Sequence, residues 1–144
     1  MTENELATVV VNLCFKIHKT LGPGLLESVY EEVLCFELKK TGLNYNRQKK
    51  IVVNYEGIKM NLGFRADVIV EEKLLLELKS IEDINPVHLK ILLTYLKLTN
   101  MKLGLLINFN EALIKDGIKK NGEQSLKSFH KLCVFAPLRE KKST

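Results

Sequence analysis

The chain has 144 residues, 46% hydrophobic and 27% charged, with 22 basic side chains against 17 acidic ones for a net charge of +5. That is the composition of one soluble globular domain with a core of its own. No apolar run reaches the length of a membrane span, and no charged N-terminal segment leads into an apolar one, so the expected location is the cytosol.

The cysteines, Cys14, Cys35 and Cys133, are odd in number and far apart, without a CxxC pair. A zinc ribbon or a disulfide framework is therefore unsupported, and buried small hydrophobes are the plain reading. His18, His88 and His130 lack metal-ligand spacing as well. Any metal would need oxygen ligands, which favours a hard cation, Mg²⁺ or Mn²⁺. The basic excess is uneven: Lys39, Lys40, Arg47, Lys49 and Lys50 occur without an acid among them. Such a surface serves solubility or a polyanionic partner.

In chain order, Thr2 and Glu5 form a capping box for an amphipathic helix over 3–20, which Gly22-Pro23-Gly24 ends. A second helix is expected from Leu25 to Lys40, stopped at Gly42. After a polar loop come a strand from Lys50 to Tyr55, a tight turn at Glu56-Gly57, and a strand from Ile58 through Asp67 with a bulge at Gly63. A third strand spans Lys73 to Lys79. Asn85 caps and Pro86 opens a third helix reaching Thr99. The apolar run from Leu103 to Phe109 reads as a strand covered on both faces, parallel to the third through the helical crossover. Residues 110–120 hold a short helix or turn, Leu132 to Phe135 an added strand, and 138–144 a frayed basic tail beyond a domain over 1–137. The order α-α-β-β-β-α-β gives an α/β domain, one mixed central sheet flanked by helices.

The chemistry concentrates in Gly63 to Ser80. A turn centred on Glu72 sets Asp67 opposite Glu77, each five residues away. Cross-strand partners stand about 4.5–5.5 Å apart at Cβ, and like charges placed so are destabilising unless a cation lies between them. Lys79 shares a strand face with Glu77. Two readings stay open: a divalent-metal site in which Lys79 orients water or stabilises charge, and a polar strand face with Lys79 in a salt bridge to Glu77 or Asp67. Glu27 lies in the first turn of the second helix, where the helix dipole favours an acid, and Tyr30 lies three residues on along the same side.

Gly24-Leu-Leu-Glu27-Ser-Val-Tyr30, then Gln48, FRADVIV, ELK, Tyr95-Leu96, GLLINF and Asp116-Gly-Ile-Lys follow one another in order. With this set the chain resembles the GxxExxY proteins of the PD-(D/E)XK nuclease superfamily. The resemblance implies a restriction-endonuclease-like α-β-β-β-α-β core and a metal-dependent nuclease acting on nucleic acid, DNA in the first place. It implies Asp67, Glu77 and Lys79 as the metal and catalytic set and Glu27 as an added acid and metal ligand, with Tyr30 and Tyr95 at the site edge. One position departs: Ile91 stands where relatives carry a glutamine four residues before Tyr95. The alternative is a nuclease-like fold of weak or no activity, used as a nucleic-acid-binding or assembly module, as a homodimer or a complex subunit. A small-molecule enzyme is unsupported, since GxGxxG, GxxxxGK and a nucleophile elbow are missing.

Overall fold

Helix α1 (Glu3–Leu21) starts where Thr2 accepts the Glu5 amide at 3.2 Å, and its hydroxyl donates to the Glu5 carboxylate. The computed structural model of the protein describes residues 1–122. The strand expected over 132–135, the tail from 138, Cys133 and His130 lie outside the described residues.

Gly22, at φ +70, and Gly24, at φ +94, carry the chain through a left-handed corner closed to L side chains. Helix α2 (Glu27–Thr41) follows and ends at Gly42 in the left-handed conformation. Its first residue is Glu27, two later than the spacing predicts, because Leu25 and Leu26 complete the corner.

The sheet runs β1 (Tyr45–Tyr55), β2 (Ile58–Val70), β3 (Leu74–Lys79), β4 (Leu103–Asn108) and β5 (Ile118–Gly122), in that spatial order among the described residues. All neighbours are antiparallel except β3 and β4, which are parallel and joined by helix α3 (Pro86–Thr99). Helix α3 begins as expected, with Asn85 accepting the Val87 amide and His88 Nδ1 accepting the Asn85 amide. A one-turn helix α4 (Ile114–Gly117) precedes β5.

Two expectations are corrected. The polar loop before Lys50 is strand from Tyr45 onward: β1 lies at the sheet edge, so Asn46 and Lys49 reach outward to Glu72 rather than into a core. The segment after residue 110 contains β5 as well as a short helix; IKKNG is too short and polar to announce a strand, yet it pairs along β4 from Ile107↔Ile118 to Leu103↔Gly122.

Period two divides the central strands between two cores. Val68, Val70, Leu74, Leu76, Leu78, Leu105 and Ile107 pack on α1 and α2, while Leu75 and Leu106 pack with Ile69 against Leu92 and Leu96 of α3. Cys14 and Cys35 are buried in the first core, where loss of solvent raises both thiols above their ordinary range. They are the small hydrophobes expected.

Strands β1 and β2 pair over their whole length, but β3 takes only Val68, Ile69 and Val70 of β2. Beyond Asp67 the two strands form a ribbon projecting past the sheet. Its register shifts where Ile51 pairs with Phe64 and Val52 with Asn61, which places the expected bulge at residues 62–63.

Candidate functional site

The hairpin turn is centred on Glu72, with Glu71 and Glu72 both at positive φ and the Lys73 amide bonded to Val70 O at 3.0 Å. The register Val70↔Leu74, Ile69↔Leu75, Val68↔Leu76 then leads to Asp67 against Glu77, as symmetry about Glu72 requires. At this point β2 leaves β3. Backbone N–H groups freed by the parting strands need acceptors, and the two acids supply them. Asp67 Oδ2 accepts the Leu78 amide at 2.8 Å, and Glu77 Oε1 accepts the Asp67 amide at 3.3 Å.

The electrostatics follow from that placement. Glu77 is 8% exposed, and burial first, then the Asp67 charge, pushes its carboxyl up to about 8. Burial also raises Asp67, against the Leu78 amide and the Gln48 side chain, which lower it. Of the two carboxyls, Glu77 is the one that burial and its neighbour's charge hold protonated near neutrality. Lys79 lies half-buried on the strand face of Glu77 and lowers Glu77, Asp67 and Glu27 alike. Among the described residues no salt bridge reaches Lys79, so the reading that it is spent in one finds no support.

Glu27 arrives from the other side of the sheet. Tyr30, fully buried and stacked on Phe109 at 4.4 Å between centroids, donates its hydroxyl to Gly22 O and accepts the Leu25 amide. Ser80, directly after Lys79, donates to Leu25 O at 2.5 Å. These bonds tie the glycine corner to the end of β3 and bring Glu27 within electrostatic range of Lys79 and Asp67. Partial burial raises the Glu27 carboxyl, Lys79 opposes that, and Asp67 adds to it. Tyr30 thus acts beneath the site, through backbone, rather than at an open edge. Tyr95 closes the α3 side: its ring tilts against Phe64 at 5.9 Å, and burial, then Glu77 and Asp67, raise its hydroxyl. Ile91, one turn earlier, is exposed.

Two neighbours escaped assignment from sequence. Glu31 stands four residues after Glu27 and so shares its helix face, a spacing that could have flagged it. Gln48 Nε2 donates to Glu31 at 2.7 Å and to Asp67 Oδ1 at 3.2 Å, bridging α2 and β2. Arg47 closes on Glu31 at 2.9 Å. Gln48 holds this bridge at φ +51, a left-handed backbone within a strand. Replacing it with glycine relieves that backbone and replacing it with alanine does not. Gln48→Gly is therefore expected to be more stable than Gln48→Ala by about 1–2 kcal/mol in urea unfolding, and equal stability would refute the strain.

The donors suit a hard cation: Asp67 and Glu77 offer converging carboxylate oxygens whose mutual repulsion a divalent ion offsets, and Mg²⁺ is commonly held by one or two carboxylates. No three His, Cys, Asp or Glu side chains among the described residues gather into a metal-sized group, so Glu27 does not complete a three-acid cluster with them. His18 bonds Glu111 O through Nε2, and His88 serves the α3 cap through Nδ1.

In chelator-treated protein the acid pair gives stability a definite pH dependence. The folded Glu77 carboxyl, at about 8, binds its proton more tightly than the unfolded one, at 4.5. Raising the pH through that window strips the unfolded chain first, so stability falls from about pH 4.5 to about pH 8, by on the order of a few kcal/mol. Thermal melting should show this fall, and Glu77→Gln should flatten it; a flat wild-type profile would contradict the pairing.

The family model described as PD-(D/E)XK nuclease superfamily matches residues 4–121. No curated protein and no solved structure matches the chain. No described helix is long and apolar enough to cross a membrane. The helix α2, strands β1 to β3, helix α3 and strand β4 supply the restriction-endonuclease-like α-β-β-β-α-β core, and the superfamily generally uses divalent metals. With that core and a match over most of its length, the chain belongs to the PD-(D/E)XK nuclease superfamily.

Proposed function

We propose that the chain is a Mg²⁺- or Mn²⁺-dependent phosphodiesterase acting on DNA, of the GxxExxY group within its superfamily. The observation that carries this is the convergence of Asp67 and Glu77 where β2 and β3 part, with Lys79 beside them in no salt bridge among the described residues. Asp67 and Glu77 would hold the ion. When bound, such an ion lowers the pKa of water and offsets charge on the phosphate. Lys79 orients the attacking water and stabilises charge developing on the phosphoryl oxygens. Glu27, near Lys79, assists through that water, and Tyr95 walls the site on the α3 side.

The test is cleavage of single- and double-stranded DNA and RNA by the purified protein with each metal. Metal-dependent DNA cleavage is expected; well-folded protein that cuts none of the four with either metal sinks the proposal. The bond of each carboxylate to a backbone N–H favours a second reading, in which the acids are structural and the fold is a binding or assembly module. Calorimetry with Mn²⁺ separates the two: no binding, or binding indifferent to Asp67→Asn, supports the module.

A further inference from the structure

The projecting ribbon has two unlike faces. Pairing sets Lys50 against Arg65, Val52 against Asn61 and Asn54 against Lys59 on one face, and Ile51 against Phe64 and Val53 against Met60 on the other. The apolar face is anchored: Ile51 is buried with Leu92 and Leu96, and Phe64 meets Tyr95 of α3. The polar face is covered by none of the described residues; its six side chains are exposed.

Its charge is one-sided. Between residues 45 and 66 the single acid is Glu56, at the tip. Arg47 and Lys49, nearer the sheet, are neutralised by Glu31, Glu32 and Glu72. No salt bridge among the described residues reaches Lys50, Lys59 or Arg65. Two of these cations, Lys50 and Arg65, are direct cross-strand partners, an arrangement that destabilises a ribbon unless an anion lies against it. Arg65 is also two residues from Asp67 on the same strand, about 7 Å along it, so the cationic stretch begins beside the candidate site.

We infer that the β1–β2 ribbon is a duplex-DNA-binding arm, its Lys50–Arg65–Lys59 face against the phosphates flanking the bond to be cut. From Lys50 to Tyr55 the ribbon extends about 17 Å, and a two-stranded ribbon is an element that a major groove of about 12 Å width admits. Two side-chain amides share the face, Asn61 between Arg65 and Lys59 and Asn54 opposite Lys59. The choice of DNA as the polyanion rests on the nuclease proposal; the surface itself rests on the register and the unpaired charges.

The experiment is fluorescence anisotropy of a short labelled DNA duplex across a salt series, in chelator so that nothing is cut. A triple variant, Lys50→Ala, Lys59→Ala and Arg65→Ala, is compared with a control removing equal charge elsewhere, Lys19→Ala, Lys39→Ala and Lys102→Ala. The ribbon variant should bind at least about tenfold more weakly, with the log–log salt slope reduced by about 2.7; the control should keep the wild-type slope. Lys59→Glu alone, at the far end of the ribbon, should weaken binding without touching the core. Equal slopes for the two triple variants, or tighter binding of single-stranded DNA or duplex RNA, would overturn the inference. Cleavage assays keep the two proposals apart. Ribbon-dependent binding without cleavage removes the nuclease reading and leaves the arm, whereas cleavage with an unchanged salt slope removes the arm and leaves the nuclease.

Discussion

Lys79→Ala should lower metal-dependent DNA cleavage by about 10²–10³-fold, the loss that follows removal of one preorganised charge at a reacting centre. The fold should persist. Lys79 contributes its backbone to the sheet, its carbonyl accepting the Phe109 amide at 2.9 Å, and alanine keeps that bond. Among the described residues its side chain is in no salt bridge, so truncation orphans no carboxylate partner there. What changes is the field: Glu27, Asp67 and Glu77 lose the cation that lowers all three. Circular dichroism should match wild type while cleavage collapses, and a variant that cuts at the wild-type rate would remove Lys79 from the mechanism. Asp67 needs a gentler replacement. Alanine there strips the acceptor from the Leu78 amide and mixes instability with inactivity, whereas Asp67→Asn keeps an oxygen for that amide and removes the charge.

Tyr30→Ala should destabilise the protein by about 3–5 kcal/mol, the usual cost of deleting a buried aromatic ring. The ring is fully buried and lies parallel to Phe109, with an interplanar angle of 5°. Tyr30→Phe isolates the hydroxyl, which donates to Gly22 O and accepts from Leu25 N. Phenylalanine leaves both backbone groups short of a partner, and a loss of about 1–3 kcal/mol is expected in urea unfolding. Activity should fall with it, because the corner those bonds close is what carries Glu27 toward Lys79. A Phe variant within about 0.5 kcal/mol of wild type would show that Ser80 and the glycines hold the corner unaided.

The central hairpin was legible from sequence because period two and a symmetric turn suffice to oppose Asp67 and Glu77. The α3 cap was legible too, since Asn85 and Pro86 act within one turn of chain. Strand β1 was half hidden: an edge strand shows solvent-like residues such as Asn46 and Lys49, and polarity alone resembles a loop. Gln48 was hidden further. A glutamine at positive φ reflects what surrounds it, the Glu31 and Asp67 carboxylates from two other elements, and no local pattern encodes that. Tyr30 could be placed on the same side as Glu27 by spacing, but its service to Gly22 and Leu25 required the corner to be folded.

That corner is fastened through main-chain atoms: Gly22 O, Leu25 N and Leu25 O. Any residue supplies an amide and a carbonyl there, so the side chains of Leu25 and Leu26, the latter 73% exposed, are released from the task of aiming Glu27. Sequence drift at those two positions should leave the acid's aim intact, while drift at Tyr30 or at the flanking glycines should not. Gly22, Gly24 and Tyr30 thus work as a backbone clamp that leaves the intervening leucines free to vary.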